Sequence, residues 1–158
     1  MNSNVIVITG AGSGLGASLA KKYSKLGHHV CLLGRTRSKL TRTAETLSYK
    51  HSIYELDVTA KDDVAKVIQS IKEDVGSIDL LVNNAGVGMF DLAENASEES
   101  THQMIMGNMK TDFWDDIDKE IERKGLMDPD DVADIIIDSV TSRQYLSVDE
   151  VVITNKES

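Results

Sequence analysis

Thr9-Gly10-Ala11-Gly12-Ser13-Gly14-Leu15-Gly16 decides the fold of this chain. The stretch follows the apolar run Val5–Ile8, which is typical of a strand buried on both faces, and precedes apolar residues at helical spacing. Glycines between a strand and a helix let the backbone turn tightly and approach a phosphate without a Cβ in the way. The first N–H groups of the helix and its dipole then favour an anion. We therefore predict a phosphate-binding turn, and a glycine turn without a ligand is the weaker alternative.

Strand and helix patterns alternate further along the chain. Val30–Leu33 is predicted as a second buried strand, Ile53–Leu56 as a short third strand and Leu80–Val82 as a fourth strand. Between them, apolar residues recur at helical spacing in three segments, 15–26, 40–47 and 64–75, with Gly27 and Gly76 as stops and Thr59 as the cap of the third helix. This series predicts an α/β fold of the Rossmann type, in which a doubly wound parallel sheet carries helices on both faces.

The rhythm changes after residue 90. Helical patterns follow Ser97 and cover residues 113–121. Asp128-Pro129 is a strong helix start, because a capping side chain precedes proline at the first helical position. We expect this last helix to bury Val132, Ile135, Ile136 and Val140, and a final strand to form at Val151–Ile153.

Composition and charge restrict the class of protein. Of the 158 residues, 41% are hydrophobic and 27% are charged, which is an ordinary globular balance. No apolar run approaches the roughly 20 residues that a membrane span needs. Residues 1–50 hold eight Lys or Arg and one acid, and residues 51–158 hold nine and 25, so +7 and −16 give the total of −9. An acidic chain argues against a nucleic-acid partner, whereas its basic first third suits a small anionic ligand or forms a solvated helix face.

Three motifs lie at the ends of the predicted strands. The glycine turn has the spacing T-G-x-x-x-G-x-G, Leu56-Asp57-Val58 ends the third strand, and Asn83-Asn84-Ala85-Gly86 follows the fourth. In this order they resemble the short-chain dehydrogenase/reductase family, which has N-N-A-G after the fourth strand and places an aspartate beside the adenine after the third. The resemblance covers residues 4 to about 105 and resumes from about 107. It implies a single domain over 1–158, with a dinucleotide-binding half, 1–105, and a C-terminal part, 107–158.

The end of the second strand indicates the cofactor. A site selective for NAD places a carboxylate there, but this chain has Gly34-Arg35-Thr36-Arg37 with no acid nearby. The guanidinium of Arg35 can pair with a 2′-phosphate, assisted by Thr36 or Arg37, so the sequence favours NADP(H) over a surface arginine without a ligand. The motifs and the resemblance together imply these cofactor-binding residues: Gly10, Ser13, Gly14, Leu15, Gly16, Arg35, Thr36, Asp57, Val58, Asn84, Ala85, Gly86 and Thr111.

The catalytic residues that the resemblance implies have no counterpart in the chain. The family uses Tyr-x-x-x-Lys on a helix and a serine upstream, but the residues four after the tyrosines are Gly27, Ile53, Val58 and Asp149. Residues 107–112 resemble the loop after the family's sixth strand, which gives Thr111 its place near the nicotinamide; a rival alignment makes Asn108 the catalytic asparagine. On either alignment the segment for strands 5 and 6 is absent, so we assign no catalytic residue. We expect the backbone to be broken between Ile105 and Asn108.

Two functions stay open at this point. The first is an NADP(H)-dependent short-chain oxidoreductase that transfers a hydride between the nicotinamide and a small carbonyl compound or secondary alcohol. On this hypothesis the parental protein has the missing segment, and its helices make a homo-oligomer the expectation. The second is a catalytically silent NADP(H)-binding deletion form. We expect either to be cytoplasmic, since the single cysteine, Cys31, fits a buried thiol in a reducing compartment. We expect no metal ion, because the four histidines have no metal-ligand spacing. We expect no membrane partner either, because no apolar run is long enough for a membrane span.

Overall fold

The computed structural model describes residues 3–86 and 127–141, without the side chains of residues 140 and 141. This part of the chain forms four strands and four helices. In chain order they are β1 (Val5–Thr9), α1 (Gly14–Lys25), β2 (His29–Gly34), α2 (Arg37–Ala44), β3 (His51–Glu55), α3 (Lys61–Asp74), β4 (Leu80–Val82) and α4 (Pro129–Thr141).

The four strands form one parallel sheet in the order β3-β2-β1-β4. In the central pair, Val5 lies opposite His29 and Thr9 opposite Leu33. The chain runs outward from β1 to β3 and then crosses to β4 on the other side of β1, so all four strands end at the same edge of the sheet. The predicted α/β fold, a doubly wound parallel sheet with helices, is confirmed for the described residues.

Helices cover both faces of the sheet because β1 and β2 are apolar on both. Ile6 and Ile8 pack in one core cluster with residues of α1, α2 and α4. Val5 and Val7 point to the opposite face and pack with residues of α3. Every residue of β1 is buried, as the continuous apolar run predicts for a strand covered on both sides.

Two helix stops are confirmed, and some of the predicted helix contacts are wrong. Gly27 and Gly76 have φ values of +85° and +119°, which favour glycine after a helix. Thr59 does not cap α3, which begins at Lys61 after Ala60, because the Thr59 hydroxyl donates to Asp57 instead. Leu26 follows the last residue of α1 and is 49% exposed, so it lies outside that helix's buried stripe. The second helix ends at Ala44, before Leu47.

Helix α4 begins as predicted, but its buried face differs. The Asp128 carboxylate accepts the Asp130 N–H at 2.8 Å, which caps the helix in front of Pro129. Val132 is buried, but Ile135 is 45% exposed, so the prediction for Ile135 is wrong. In the core that α4 shares with α1, Ala133 and Ile137 are buried instead, and Ile136 packs against them.

The small side chain of Ala133 and one ion pair explain which face of α4 packs against α1. Ala133 is fully buried, and Lys22 of α1 forms an ion pair with Asp134 at 2.5 Å, so the two helices meet across that side of α4.

Several predicted features lie outside the described residues: the helices after Ser97 and over 113–121, the final strand at Val151–Ile153 and the expected break between Ile105 and Asn108. The predicted absence of strands 5 and 6 also concerns residues outside the described ones.

Candidate functional site

The glycine turn connects β1 to α1 at the edge of the sheet where all four strands end. Gly10 and Gly14 have φ values of +65° and +52°, in a backbone region that residues other than glycine rarely adopt. A Cβ on Gly10 would lie 2.9 Å from the Ala85 Cα and 3.0 Å from the Asn84 Nδ2. Glycine at residue 10 therefore allows two loops, after β1 and after β4, to lie against each other.

Gly16 lies behind the turn rather than in it. A Cβ on Gly16 would overlap the Gly10 carbonyl oxygen and lie 2.6 Å from the Asn84 Nδ2. The residue is buried in the first turn of α1. Its lack of a side chain lets α1 start directly against the backbone of the turn, which is the packing role of the last glycine in such motifs.

A threonine hydroxyl joins the glycine turn to the Asn-Asn-Ala-Gly loop. The Thr9 Oγ1 accepts the N–H groups of Asn84 and Ala85, both at 2.9 Å, and donates to the Val82 carbonyl at 3.3 Å. The Asn84 amide in turn donates to the Thr9 carbonyl at 3.1 Å and to the Gly10 carbonyl at 3.4 Å. These five hydrogen bonds fix Asn84 and Ala85 beside the start of α1. The motif residues Asn84 and Thr9 thus position the backbone around them.

The start of α1 is suited to an anion. Ser13 precedes the helix in an extended conformation, and its side chain makes no capping hydrogen bond. The first turn contains no acidic residue, while Lys22 and Lys25 lie in the last turn. Because a helix has unpaired N–H groups and a positive dipole end at its N-terminus, this end of α1 favours a negatively charged ligand.

The Asp57 carboxylate is held at the end of β3 by its own loop. The Thr59 N–H and hydroxyl both donate to Oδ1, at 2.9 Å and 2.7 Å. These two bonds, with the more distant charge of Arg35, lower the pKa of Asp57, which is exposed and therefore ionised at neutral pH. Within the described residues no hydrogen bond reaches Oδ2, which leaves that oxygen as an acceptor for a ligand.

An open cleft of about 470 Å³ connects these features. Its lining contains most of the predicted cofactor-binding residues, namely Gly10, Ser13, Gly14, Leu15, Arg35, Asp57, Val58, Asn84, Ala85 and Gly86. Gly16 lies behind the cleft, Thr36 lies outside its lining, and Thr111 lies outside the described residues. Gly34, Leu56 and Thr59 also line the cleft. The sequence analysis did not predict them as cofactor-binding residues, although each is the immediate neighbour of a residue that it did predict.

Comparison with known proteins identifies the family. The sequence model of a protein family described as short chain dehydrogenase matches residues 4–115. The chain belongs to this family. The family resemblance inferred from the three motifs is thereby confirmed, and the match includes the four described strands and the cleft.

Individual members of the short chain dehydrogenase family differ in cofactor. An uncharacterised oxidoreductase of Staphylococcus saprophyticus is 36% identical over 114 residues, covering 70% of this chain and 49% of that protein. An NAD-dependent glycerol dehydrogenase of Listeria innocua is 32% identical over 113 residues, covering 72% and 44%. The crystal structure of L-sorbose reductase from Gluconobacter frateurii, complexed with NADPH and L-sorbose, superposes with a TM-score of 0.55 at 31% identity, covering 65% and 41%. The chain thus spans about half the length of the curated relatives it matches.

Reactive and metal-binding side chains are sparse in the described part of this short chain dehydrogenase. Cys31 is fully buried in β2, and burial raises its pKa to about 11, so it packs as a core thiol. Residues 3–86 and 127–141 contain no group of three or more His, Cys, Asp or Glu arranged to hold a metal ion. In the same ranges, none of the helices has the length and apolar character needed to cross a membrane.

Proposed function

We propose that the cleft at the ends of β1–β4 binds NADP(H). The pyrophosphate lies at the start of α1, where glycine at residues 10 and 14 keeps the backbone bare. The adenosine lies toward Asp57 and Val58, with the free Oδ2 of Asp57 as an acceptor for the adenine amino group. The observation that carries this proposal is the Gly10 turn, in which a Cβ would fill the space between two loops that meet at the cleft.

Arg35 supports NADP(H) over NAD(H). It is exposed directly after β2 and lines the cleft beside Gly34. No acidic residue occurs in the chain between Arg35 and Glu45, so the segment that follows β2 offers no carboxylate of its own to a ribose 2′-hydroxyl. A 2′-phosphate instead gains charge-assisted hydrogen bonds from the guanidinium. The named relatives include both an NAD-dependent enzyme and an NADPH complex. We therefore base the choice between NADP(H) and NAD(H) on Arg35 of this chain.

We propose that the parental protein is an oxidoreductase of small carbonyl compounds or secondary alcohols. When bound, the cofactor supplies a hydride that moves between the nicotinamide and the substrate carbon. The described residues hold and orient the cofactor: the turn at Gly10, the loop fixed by Thr9 and the start of α1. Thr111 is proposed to lie near the nicotinamide carboxamide. The packing of α4 on α1 supports one domain that includes both described ranges.

The second candidate, a catalytically silent NADP(H)-binding form, is favoured by one feature of the sequence. No tyrosine of the chain is followed four residues later by lysine. A carbonyl reduction needs a positioned acid near the developing alkoxide, and a tyrosine whose pKa is lowered by lysine is what the family resemblance implies. A protein consisting of these 158 residues is therefore expected to bind NADPH without reducing a carbonyl panel. Turnover that depends on a carbonyl substrate would refute the silent form.

Affinity for the two cofactors tests the proposed binding site. We expect the unmutated chain to bind NADPH more tightly than NADH, with Arg35→Ala removing most of the difference. The contact is worth about 1.5–3 kcal/mol if the guanidinium bonds the phosphate directly, which is roughly a 10- to 150-fold preference. Lys50→Ala is the matched control, because Lys50 is exposed at the opposite edge of the sheet, before β3. Equal affinity for NADPH and NADH in the unmutated chain contradicts the proposal.

A further inference from the structure

We propose that Lys39 is a second cation for the cofactor's 2′-phosphate and contributes to the selection of NADP(H). This inference rests on the proposed function, because it assumes that the nucleotide lies in the cleft beside Arg35. Lys39 lies outside the three motifs that identify the family, and it does not line the cleft itself. It is placed by a contact between α2 and the glycine turn.

Gly12 makes this contact. A Cβ on Gly12 would lie 3.0 Å from the Lys39 Cβ and 3.6 Å from the Leu40 backbone nitrogen. Residue 12 is one of the variable positions of T-G-x-x-x-G-x-G, so the motif does not require glycine there. In this chain, the absence of a side chain at residue 12 lets the first turn of α2 lie directly on the glycine turn.

The backbone of Lys39 is fixed where the contact occurs. The N–H groups of Lys39 and Leu40 both donate to the Thr36 carbonyl, at 3.1 Å and 3.2 Å. Leu40 is fully buried in the core. The Lys39 Cβ is therefore held against residue 12, and only the outer part of the side chain moves. Four further bonds keep its amine within about 5 Å of that Cβ.

That reach covers the side of the cleft where a 2′-phosphate belongs. Ser13 follows Gly12 directly, and Ser13 and Arg35 both line the cleft. A phosphate held by Arg35 at this place thus has the Lys39 amine as its neighbour on the α2 side. The two cations differ in role, because the guanidinium gives a directional fork and the ammonium a mobile point charge.

The amine of Lys39 is also available. Among the residues that the structure describes, no hydrogen bond or ion pair engages its side chain, and α2 contains no acidic residue. Lys66 differs in this respect: it lines an adjoining groove that also contains Arg35, and its amine forms an ion pair with Asp63 at 2.9 Å. An anion at Lys66 would have to compete with that carboxylate, whereas an anion at Lys39 would not.

Adenosine 2′,5′-bisphosphate and AMP separate the effect of Lys39 from that of the rest of the site. The two probes differ by the 2′-phosphate and need no nicotinamide pocket. Calorimetric titration of the full chain with each probe gives the ratio of their dissociation constants. We expect Lys39→Gln to weaken the bisphosphate about 5-fold and to leave AMP unchanged, since exposed charge pairs are worth up to about 1 kcal/mol. Lys50→Gln removes the same charge at the opposite sheet edge and is expected to change neither constant.

The outcomes distinguish this inference from the proposed function. If the unmutated chain prefers the bisphosphate and Arg35→Ala removes most of that preference, but Lys39→Gln acts no more strongly than Lys50→Gln, the role of Lys39 is refuted and the binding site stands. If Lys39→Gln weakens both probes equally, Lys39 acts on the turn and not on the phosphate, which also refutes it. If the unmutated chain shows no preference, the proposed function and the inference both fail. Circular dichroism of each variant verifies that α2 and the sheet are retained.

Discussion

Thr9→Val removes the hydroxyl that joins the loops after β1 and β4 while keeping the size and branching of the side chain. Thr9 is 7% exposed at the end of a central strand, so valine fits the site and suits a strand. The change leaves the N–H groups of Asn84 and Ala85 without their acceptor and the Val82 carbonyl without its donor. It therefore tests whether these hydrogen bonds, rather than packing, hold residues 84–86 in place.

The expected loss can be worked from the three bonds. A hydrogen bond inside a protein contributes a net of about 1 kcal/mol to stability, and a buried donor or acceptor that is left without a partner costs more. Ala85 is exposed, so its N–H returns to water at little cost, while Asn84 is half-buried. We therefore expect the free energy of unfolding to fall by about 2 kcal/mol. Thr9→Ser is the matched control: it keeps the hydroxyl, and losing a buried methyl costs about 0.8 kcal/mol.

Urea denaturation followed by circular dichroism measures both variants. With slopes of about 1–3 kcal/mol per molar urea for small proteins, the valine variant should unfold at a midpoint roughly 1 M lower than the unmutated chain. The serine variant should lie between the two. The slopes must agree, because a change in slope reports a change in the unfolded or folded ensemble. A valine variant at least as stable as the serine variant would refute the role of the Thr9 hydroxyl.

Three further predictions concern packing and pH. Gly16→Ala should lower the free energy of unfolding by about 1–3 kcal/mol in thermal denaturation, because the new Cβ overlaps the Gly10 carbonyl; a variant as stable as the unmutated chain contradicts the close approach of α1. Ala133→Leu should cost about 1–3 kcal/mol because residue 133 is fully buried against the core, whereas Ala65→Leu on the exposed side of α3 should be near neutral; equal effects would show that α4 does not dock on α1. Burial, and then the charges of Lys50 and His51, lower the pKa of His29 from its ordinary 6.5. The unfolded chain therefore takes up a proton on this ring before the folded chain does, and stability is lost as the pH falls below about 6.5. His29→Gln should make this loss smaller when urea midpoints are compared on either side of that pH, and an unchanged pH dependence would contradict it.

Local patterns predicted the sheet well because each strand is defined by its own residues. β4 begins and ends where the apolar run Leu80–Val82 does. Continuous apolar runs indicated that β1 is buried on both faces, and its full burial agrees. The glycine turn was predicted from sequence for the same reason, since Gly10 and Gly14 need a positive φ that few other residues adopt.

Contacts between distant segments were beyond the reach of the pattern. The Thr9 hydroxyl acts on Asn84 and Ala85, which are 75 and 76 residues away along the chain. The Gly12 contact with Lys39 depends on how α2 docks, which the variable positions of the motif do not specify. In both cases the residue type gave no sign of its partner.

Competition between equivalent local choices explains the errors. Thr59 has a side chain that caps helices, but a carboxylate two residues earlier accepts its hydroxyl and N–H in a local turn. Ile135 and Ile137 both fit a helical stripe, and the small Ala133 decides which side of α4 approaches α1. Helical period gives the width of an apolar face, whereas the partner helix determines its direction.

The most direct test of the central claim is an NMR titration of the full, isotope-labelled chain with NADPH. If the cofactor binds as proposed, the largest amide shifts occur at Ser13–Gly16, at Arg35 and Thr36, and in the loop 84–86, and they saturate together with one dissociation constant. Asp63, Lys66 and Val67, which line the adjoining groove on the side away from the cleft, should shift little. Absence of saturable shifts, or shifts centred on that groove while Ser13–Gly16 stay unchanged, would contradict the assignment of the cleft as a cofactor site.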